Sequence, residues 1–287
     1  MPAVTVTKCC GTGNDFVLLD ARALGGLDYP ALAKQLCPRR FSLGADGLLA
    51  IETASIPGCD ARMRVFNADG SEAETCGNGI RCVAAFLHKS NQKTSFTIET
   101  AAGIMTADIV NDPNLRLVRV CMGVPAVTRS SRALARATTP HAVSPGIQDV
   151  FEVSMGNPHV VVFVSEALEA ADLECIARSA HKSKGEPANV ELVCVADQEM
   201  TMRVHERGVG ETWACGSGAC AAAAAAIVSS RTTSPVRVRS KGGSVEVEWS
   251  GPGRPAYLTG DALLVYTTRV EVGEHPPAVF VPLNHGH

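Results

Sequence analysis

The sequence predicts an α/β (α+β) protein of two pseudo-symmetric domains that arose by internal duplication. Each domain is expected to be a mainly antiparallel or mixed sheet wrapped around a central apolar helix. Three observations carry this. The stretch MRVFNADGSEAETCGNG (Met63–Gly79) returns in the same frame as MRVHERGVGETWACGSG (Met202–Gly218). Short runs rich in Val, Ile, Thr and Phe, most of them alternating, dominate the chain. Each copy of the repeated stretch is followed by a run of Ala, Val, Ile and Leu at helical length, which has no polar face and must be buried.

In the repeat, Met63, Arg64, Val65, Glu72, Cys76, Gly77 and Gly79 recur at Met202, Arg203, Val204, Glu211, Cys215, Gly216 and Gly218, while Gly70 meets Val209. Gly13-Asn14 is echoed by Gly156-Asn157, each before a strand-like run, and Gly103 by Gly242. Taken in order, the expected strands are AVTVTKC, DFVLLD, GLLAIE, RMRVFN, TSFTIET and LRLVRVCMG in the first half. DVFEVSM, HVVVFV, VELVCV, MTMRVH, PVRVRS, SVEVEWS and ALLVYTTRVEV follow in the second. The expected helices are YPALAKQLC, GIRCVAAFLHKS, AADLECIARSAH and GACAAAAAAIVSS. Between the halves, AVTRSSRALARATTPHAVSPG reads as a connection or surface loop. The predicted division is an N-terminal domain over 1–122, to which a segment at 267–287 returns, and a C-terminal domain over 123–266.

Composition narrows the function. With 46% hydrophobic and 19% charged residues, the chain can bury a full core without disulfides or metal. A net charge of −3 offers no electrostatic footprint for nucleic acid or an anionic membrane, so a small-molecule partner is expected. The N-terminus lacks the pattern of a signal peptide and no apolar run reaches spanning length, which predicts a cytoplasmic location. Eleven cysteines without a CxxC pair fit neither a disulfide framework nor a zinc ribbon, and most should be reduced and buried. No metal is expected. Nor is a cofactor: no GxGxxG follows a strand in dinucleotide-binding context, and no motif marks a lysine for a Schiff base.

The chemistry concentrates at Cys76 and Cys215. Each stands in a CGxG segment that opens a helix, where unpaired N–H groups and the helix dipole favour a thiolate and lower its pKa from about 8.5. The glycines let a carboxylate approach the main chain closely. A single cysteine at a helix start is commonly structural, but two at equivalent places in a duplicated chain suggest function. Facing each other, they could take a proton from one side of a carbon and return one to the other, which inverts the stereocentre without a cofactor.

The ordered motifs GTGNDF (Gly11–Phe16), RRFSLGADG (Arg39–Gly47), FNADGSEAETCGNGIRC (Phe66–Cys82), GNPH (Gly156–His159), NVELV (Asn189–Val193) and ERGVGETWACGSGAC (Glu206–Cys220) together resemble the diaminopimelate epimerase family. The resemblance implies conversion of LL-2,6-diaminopimelate to the meso isomer, in lysine and peptidoglycan precursor biosynthesis, in a cleft between two similar α/β domains. It implies Cys76 and Cys215 as the exchanging thiolate and thiol, with His159 and Glu206 helping to set their protonation. Gly77, Asn78, Gly216 and Ser217 would hold the reacting carboxylate. Asn14, Asn67, Asn157, Asn189, Glu206 and Arg207 would bind the rest of the substrate, Arg207 as a carboxylate clamp. A homodimer is compatible with the resemblance. Three rival readings stay open at this point: a two-cysteine racemase of another amino acid such as proline, a thiol redox protein, and a non-catalytic amino acid binding protein.

Overall fold

The computed structural model describes residues 3–74, 76–111, 116–130, 146–165, 168–169, 171–185 and 187–273. Its first half runs β1 (Ala3–Gly11), β2 (Asn14–Asp20), α1 (Tyr29–Leu36), β3 (Gly47–Glu52), β4 (Ala61–Asn67), β5 (Glu72–Ala73), α2 (Gly77–Asn91), β6 (Ser95–Thr100), β7 (Gly103–Asn111) and β8 (Arg116–Cys121). The second half opens with β9 (Ala126–Arg129), β10 (Ile147–Ser154), β11 (Pro158–Val164), α3 (Leu173–Lys184), β12 (Asn189–Ala196) and β13 (Glu199–Glu206). It continues through β14 (Gly210–Thr212), α4 (Gly216–Val228), β15 (Val236–Ser240), β16 (Gly243–Trp249), β17 (Ala256–Asp261) and β18 (Leu263–Glu271).

Strand pairing repeats between the halves. In the first, β1-β2-β3-β4-β6-β7-β8 are neighbours, with β2–β3 and β4–β6 parallel and the other pairs antiparallel. In the second, β10-β11-β12-β13-β15-β16-β17 follow the same order, with β11–β12 and β13–β15 parallel. Two seams join them: β17 pairs with β8, and β18 returns along β1, as β9 lies along β10.

Burial explains the strand sequences. The α1 helix, capped by Asp28, packs Leu32, Ala33 and Leu36 on the outside of the first sheet against Val17, Leu19, Leu48 and Ala50. The α3 helix does the same with Leu173, Ile176, Ala177 and Ala180 against Val160, Val162, Val190 and Leu192. With helices on both faces, these central strands read as continuous apolar runs rather than alternating ones. Inside the curl of the sheets lies one core that includes α2 and α4 together.

The structure departs from the sequence reading in detail. The first four residues of the supposed connection, AVTR, form β9; most of the remainder, 131–145, lies outside the described residues. Strands β5 and β14, of two and three residues, are too short to leave a periodic signal. Helix α4 is buried over Gly218–Ala226 as its composition requires, but α2 is not apolar throughout. Its Arg81 is fully buried, donating to the Asp261 carbonyl at 3.0 Å and to Thr12 Oγ1 at 2.7 Å.

Candidate active site

Each helix start is built by the same device. The Cys76 side chain caps α2, its sulfur accepting from the Gly79 N–H at 3.4 Å; Cys215 caps α4 and accepts from Gly218 N–H at 3.4 Å. Both cysteines are extended, at φ −149° and −131°, so the chain enters the helix directly from the preceding hairpin. Those hairpins are locked alike: Arg64 grips Glu72 at 2.7 and 2.8 Å, and Arg203 grips Glu211 at 2.8 Å through both nitrogens. Glu72 and Glu211, which correspond across the repeat, thus pair with the two repeated arginines, a bidentate match that carboxylate and guanidinium favour.

The helix starts face one another across the seam. A cavity of about 340 Å³ is lined by Asn14, Cys76, Gly77 and Asn78 from one half and by Asn157, Glu206, Cys215, Gly216 and Ser217 from the other. An adjoining cavity of about 840 Å³ shares Asn14, Cys76 and Glu206 and adds Arg39, Asp46, Asn67 and Trp213. Nine of the sequence-predicted site residues thus converge on the smaller cavity, and Asn67 lines the larger. His159 lies behind the wall, fully buried, and Asn189 is nearly so. The Asn189 carbonyl oxygen Oδ1 accepts from the Arg207 N–H at 2.8 Å, which anchors the backbone there, while the Arg207 side chain is exposed outside both cavities.

Polar contacts link the wall residues. Cys76 Sγ lies 3.8 Å from Asn14 Oδ1, which also accepts from Asn78 Nδ2 at 3.3 Å. Cys215 Sγ lies 3.5 Å from Ser217 Oγ, and the charge of the nearby Glu206 carboxyl, which accepts from Thr212 Oγ1, acts on it. His159 Nε2 meets Asn157 Oδ1 at 3.1 Å, and its Nδ1 meets Glu191 Oε1 at 2.7 Å. Among the described residues, no group of three or more His, Cys, Asp and Glu side chains is placed to hold a metal ion.

The helix-start argument for a lowered thiol pKa is overturned. Burial pushes the Cys76 thiol up to about 11, and the bond from Gly79 only partly offsets it. Cys215 is pushed well above the ordinary value, by burial first and then by the nearby Glu206 and Glu191 carboxylates. Desolvation of a charged sulfur outweighs one or two amide dipoles. Burial also holds the Glu206 carboxyl above its usual range.

Arg39 and Asp46 fall within a motif quoted from the sequence but were assigned no role there; both line the larger cavity. Asp46 accepts from Asn14 Nδ2 at 2.8 Å, and Arg39 bridges Asp15 and Asp46 at 2.7 and 2.6 Å.

A duplicated sheet-and-helix fold, closing one cysteine-capped helix start against another, defines the class of the cofactor-independent isomerases that work with two cysteines. Solved structures of similar fold include a PhzF-family phenazine biosynthesis protein from Bacillus anthracis, with a TM-score of 0.70 and 18% identity over 95% of this chain and all of that one. Another is a probable proline racemase from Agrobacterium radiobacter, with a TM-score of 0.64 and 18% identity over 97% and 94% of the two chains. The model of the family described as diaminopimelate epimerase matches residues 6–128 and 151–265, and the chain belongs to that family. Diaminopimelate epimerase from Pelotomaculum thermopropionicum is 39% identical over 94% of this chain and 98% of its own. That from Desulforudis audaxviator is 41% identical over 91% and 96%. No helix among the described residues is long and apolar enough to cross a membrane.

Proposed function

We propose that this protein interconverts LL- and meso-2,6-diaminopimelate by a two-thiol acid–base mechanism without a cofactor, in the supply of lysine and peptidoglycan precursors. The observation that carries the mechanism is the pair of cysteine caps, Cys76 and Cys215, on facing helix starts that share one cavity. In each direction one sulfur, as thiolate, removes the α-proton and the other, as thiol, protonates the opposite face; the roles exchange in reverse. Glu206, beside Cys215, is assigned to take that thiol's proton, and His159, against Asn157, to support it from behind.

The α-carboxylate is assigned to the amides of Gly77, Asn78, Gly216 and Ser217. Two converging helix dipoles there stabilise the charge that accumulates as the proton leaves. The distal amino acid end is assigned to the larger cavity, where Asn14 and Asn67 supply amides and Glu206 a carboxylate, with Asn157 and Asn189 ordering the wall and Arg207 clamping the far carboxylate from the rim. The two jaws of the cleft are assigned to the domains 1–122 with the returning segment 267–287, and 123–266; residues 131–145 and 274–287 of these spans lie outside the described residues.

A cytoplasmic location suits these free thiols. A homodimer is supported by β18, which pairs only with β1 among the described strands and turns Leu263, Val265 and Tyr266 to solvent.

The direct test is incubation of the reduced protein with LL-diaminopimelate in D2O, following isomer ratio and α-deuterium by NMR. Formation of the meso isomer with deuterium at the inverted carbon is expected. Absence of both, with the thiols titrated as free, would refute the assignment and direct the search to other amino acids.

A further inference from the structure

The strands beneath the two helix starts correspond in register, and at one place they differ in kind: an apolar pair in the first half is replaced in the second by His159 and by Glu191, which the reaction scheme above does not use. Strand β3 corresponds to β12: Leu49 lies opposite Val65 in the first half, and Glu191 lies opposite Val204, the repeat partner of Val65, in the second. By the same registers Phe16, opposite Gly47, corresponds to His159, opposite Asn189. Leu49 lies under the first turn of α2, where a methyl group on Gly79 would come within 2.9 Å of Leu49 Cδ2. Glu191 lies under the first turn of α4, where a methyl group on Gly218 would come within 2.6 Å of Glu191 Oε1. An apolar pair in one half is therefore a buried acid and histidine in the other.

That exchange has no structural justification. Glu191 and His159 are both fully buried, and Glu191 Oε2 has no hydrogen-bond partner. Removing two ionisable groups from water costs more than burying a phenylalanine and a leucine, and the first half shows that the apolar pair supports the same helix start. With Asn157 Oδ1 turned toward the ring, the contacts also imply a proton count. Asn157 Oδ1 is an acceptor, so His159 Nε2 carries a hydrogen; the 2.7 Å contact between His159 Nδ1 and Glu191 Oε1 then needs one more proton between them. The pair holds that proton whether it is written as imidazolium and carboxylate or as imidazole and carboxylic acid.

We propose that Glu191 is a positioning residue for proton transfer at Cys215: through His159 it orients the Asn157 amide in the cleft and keeps one shared proton beside the Glu206–Cys215 pair. The shared proton makes the two thiols inequivalent in a site whose backbone treats them alike. This rests on the function proposed above.

The test is Glu191→Gln, compared with wild type in both reaction directions using α-deuterated LL and meso substrates. A glutamine amide can donate to Nδ1 and leave His159 bonded to Asn157, so the shape survives and the shared proton does not. Expected are an unchanged KM and a kcat lowered about tenfold to a hundredfold, the range for losing one charge-assisted hydrogen bond. Primary deuterium isotope effects should move in opposite senses: up in the direction where Cys215 abstracts deuterium, down where Cys76 does. An unchanged kcat, or isotope effects that move together, overturns the inference. A wild type that turns over neither isomer overturns the proposed function, and this inference with it. Should the variant not fold, 15N NMR of the His159 imidazole in wild type decides: a hydrogen on Nε2 and a proton shared at Nδ1 are expected, and a bare, unbonded Nδ1 refutes the assignment.

Discussion

Gly77 and Gly216, the first residues of the two central helices, face each other so closely that a methyl group on Gly77 would lie 3.9 Å from the Gly216 Cα. Two positive helix ends at this separation repel each other, and an anion between them relieves the repulsion. The arrangement suits the carboxylate site proposed above, with a cysteine capping each helix start.

Replacing either sulfur should stop inversion while leaving the fold intact. In Cys76→Ala or Cys215→Ala, turnover of diaminopimelate is expected to fall by about a thousandfold or more, the order of a lost general acid or base. The cap loses only a weak N–H to sulfur bond of 3.4 Å, so the melting temperature should move by a few degrees at most. Full turnover in both variants would dismiss the two-thiol mechanism.

The free thiols should react late in pH. With Cys76 pushed up to about 11 by burial, alkylation by iodoacetamide should be slow at pH 7 and rise about tenfold per pH unit, since only the thiolate reacts. Peptide mapping by mass spectrometry reads this site by site. A plateau for Cys76 near pH 8.5 would mean that the helix dipole, not burial, governs it.

Stability should fall in alkali for the same reason. Cys220, buried in the alanine-rich α4, is pushed up to about 12, against about 8.5 in an unfolded chain. Its folded pKa is raised, so its contribution is intact below about pH 8.5 and is lost as pH climbs toward 12, at about 1.4 kcal/mol per unit. Urea unfolding of Cys220→Ala should therefore show a shallower decline between pH 8.5 and 10.5 than the parent, by about one proton's worth. Equal slopes would show that Cys220 ionises freely in the folded state.

The duplication, the four helices and the two cysteines are legible in the sequence because each leaves a local pattern: a repeated frame, a 3.6-residue periodicity, a CGxG. What was hidden is relational. The thiols' pKa depends on how deeply the facing halves bury them, which a helix-start argument does not contain. Glu191 is a lone acid in the apolar run VELVCV with no local pattern to mark it; only the strand register, placing it where the first half has Leu49, shows that it is anomalous. Arg81 is similar: nothing local marks the arginine of GIRC as fully buried, since its acceptors, Thr12 and the Asp261 carbonyl, are remote in sequence.

The hairpin locks should be equivalent across the pseudo-symmetry. Glu72→Ala and Glu211→Ala each remove a bidentate partner from a partly exposed arginine, which places the loss at about 1 kcal/mol. Because each hairpin leads into a cysteine cap, turnover should drop several-fold in both. Denaturant midpoints differing widely between the two variants would contradict equal roles.

The second glycine of each CGxG should respond unequally to alanine. At Gly79 the added methyl meets the end of Leu49, a flexible side chain that can turn away, and alanine gains about 1 kcal/mol in helix propensity; the sum should lie near zero. At Gly218 it meets the Glu191 carboxyl at 2.6 Å, held in place by His159. That carboxyl can yield only by breaking a buried hydrogen bond to His159, so Gly218→Ala should cost about 2 kcal/mol or more and most of the turnover. Thermal melts and kcat on both variants check this. Equal penalties at the two glycines would mean that Glu191 has room to move, and that the helix start does not depend on where it sits.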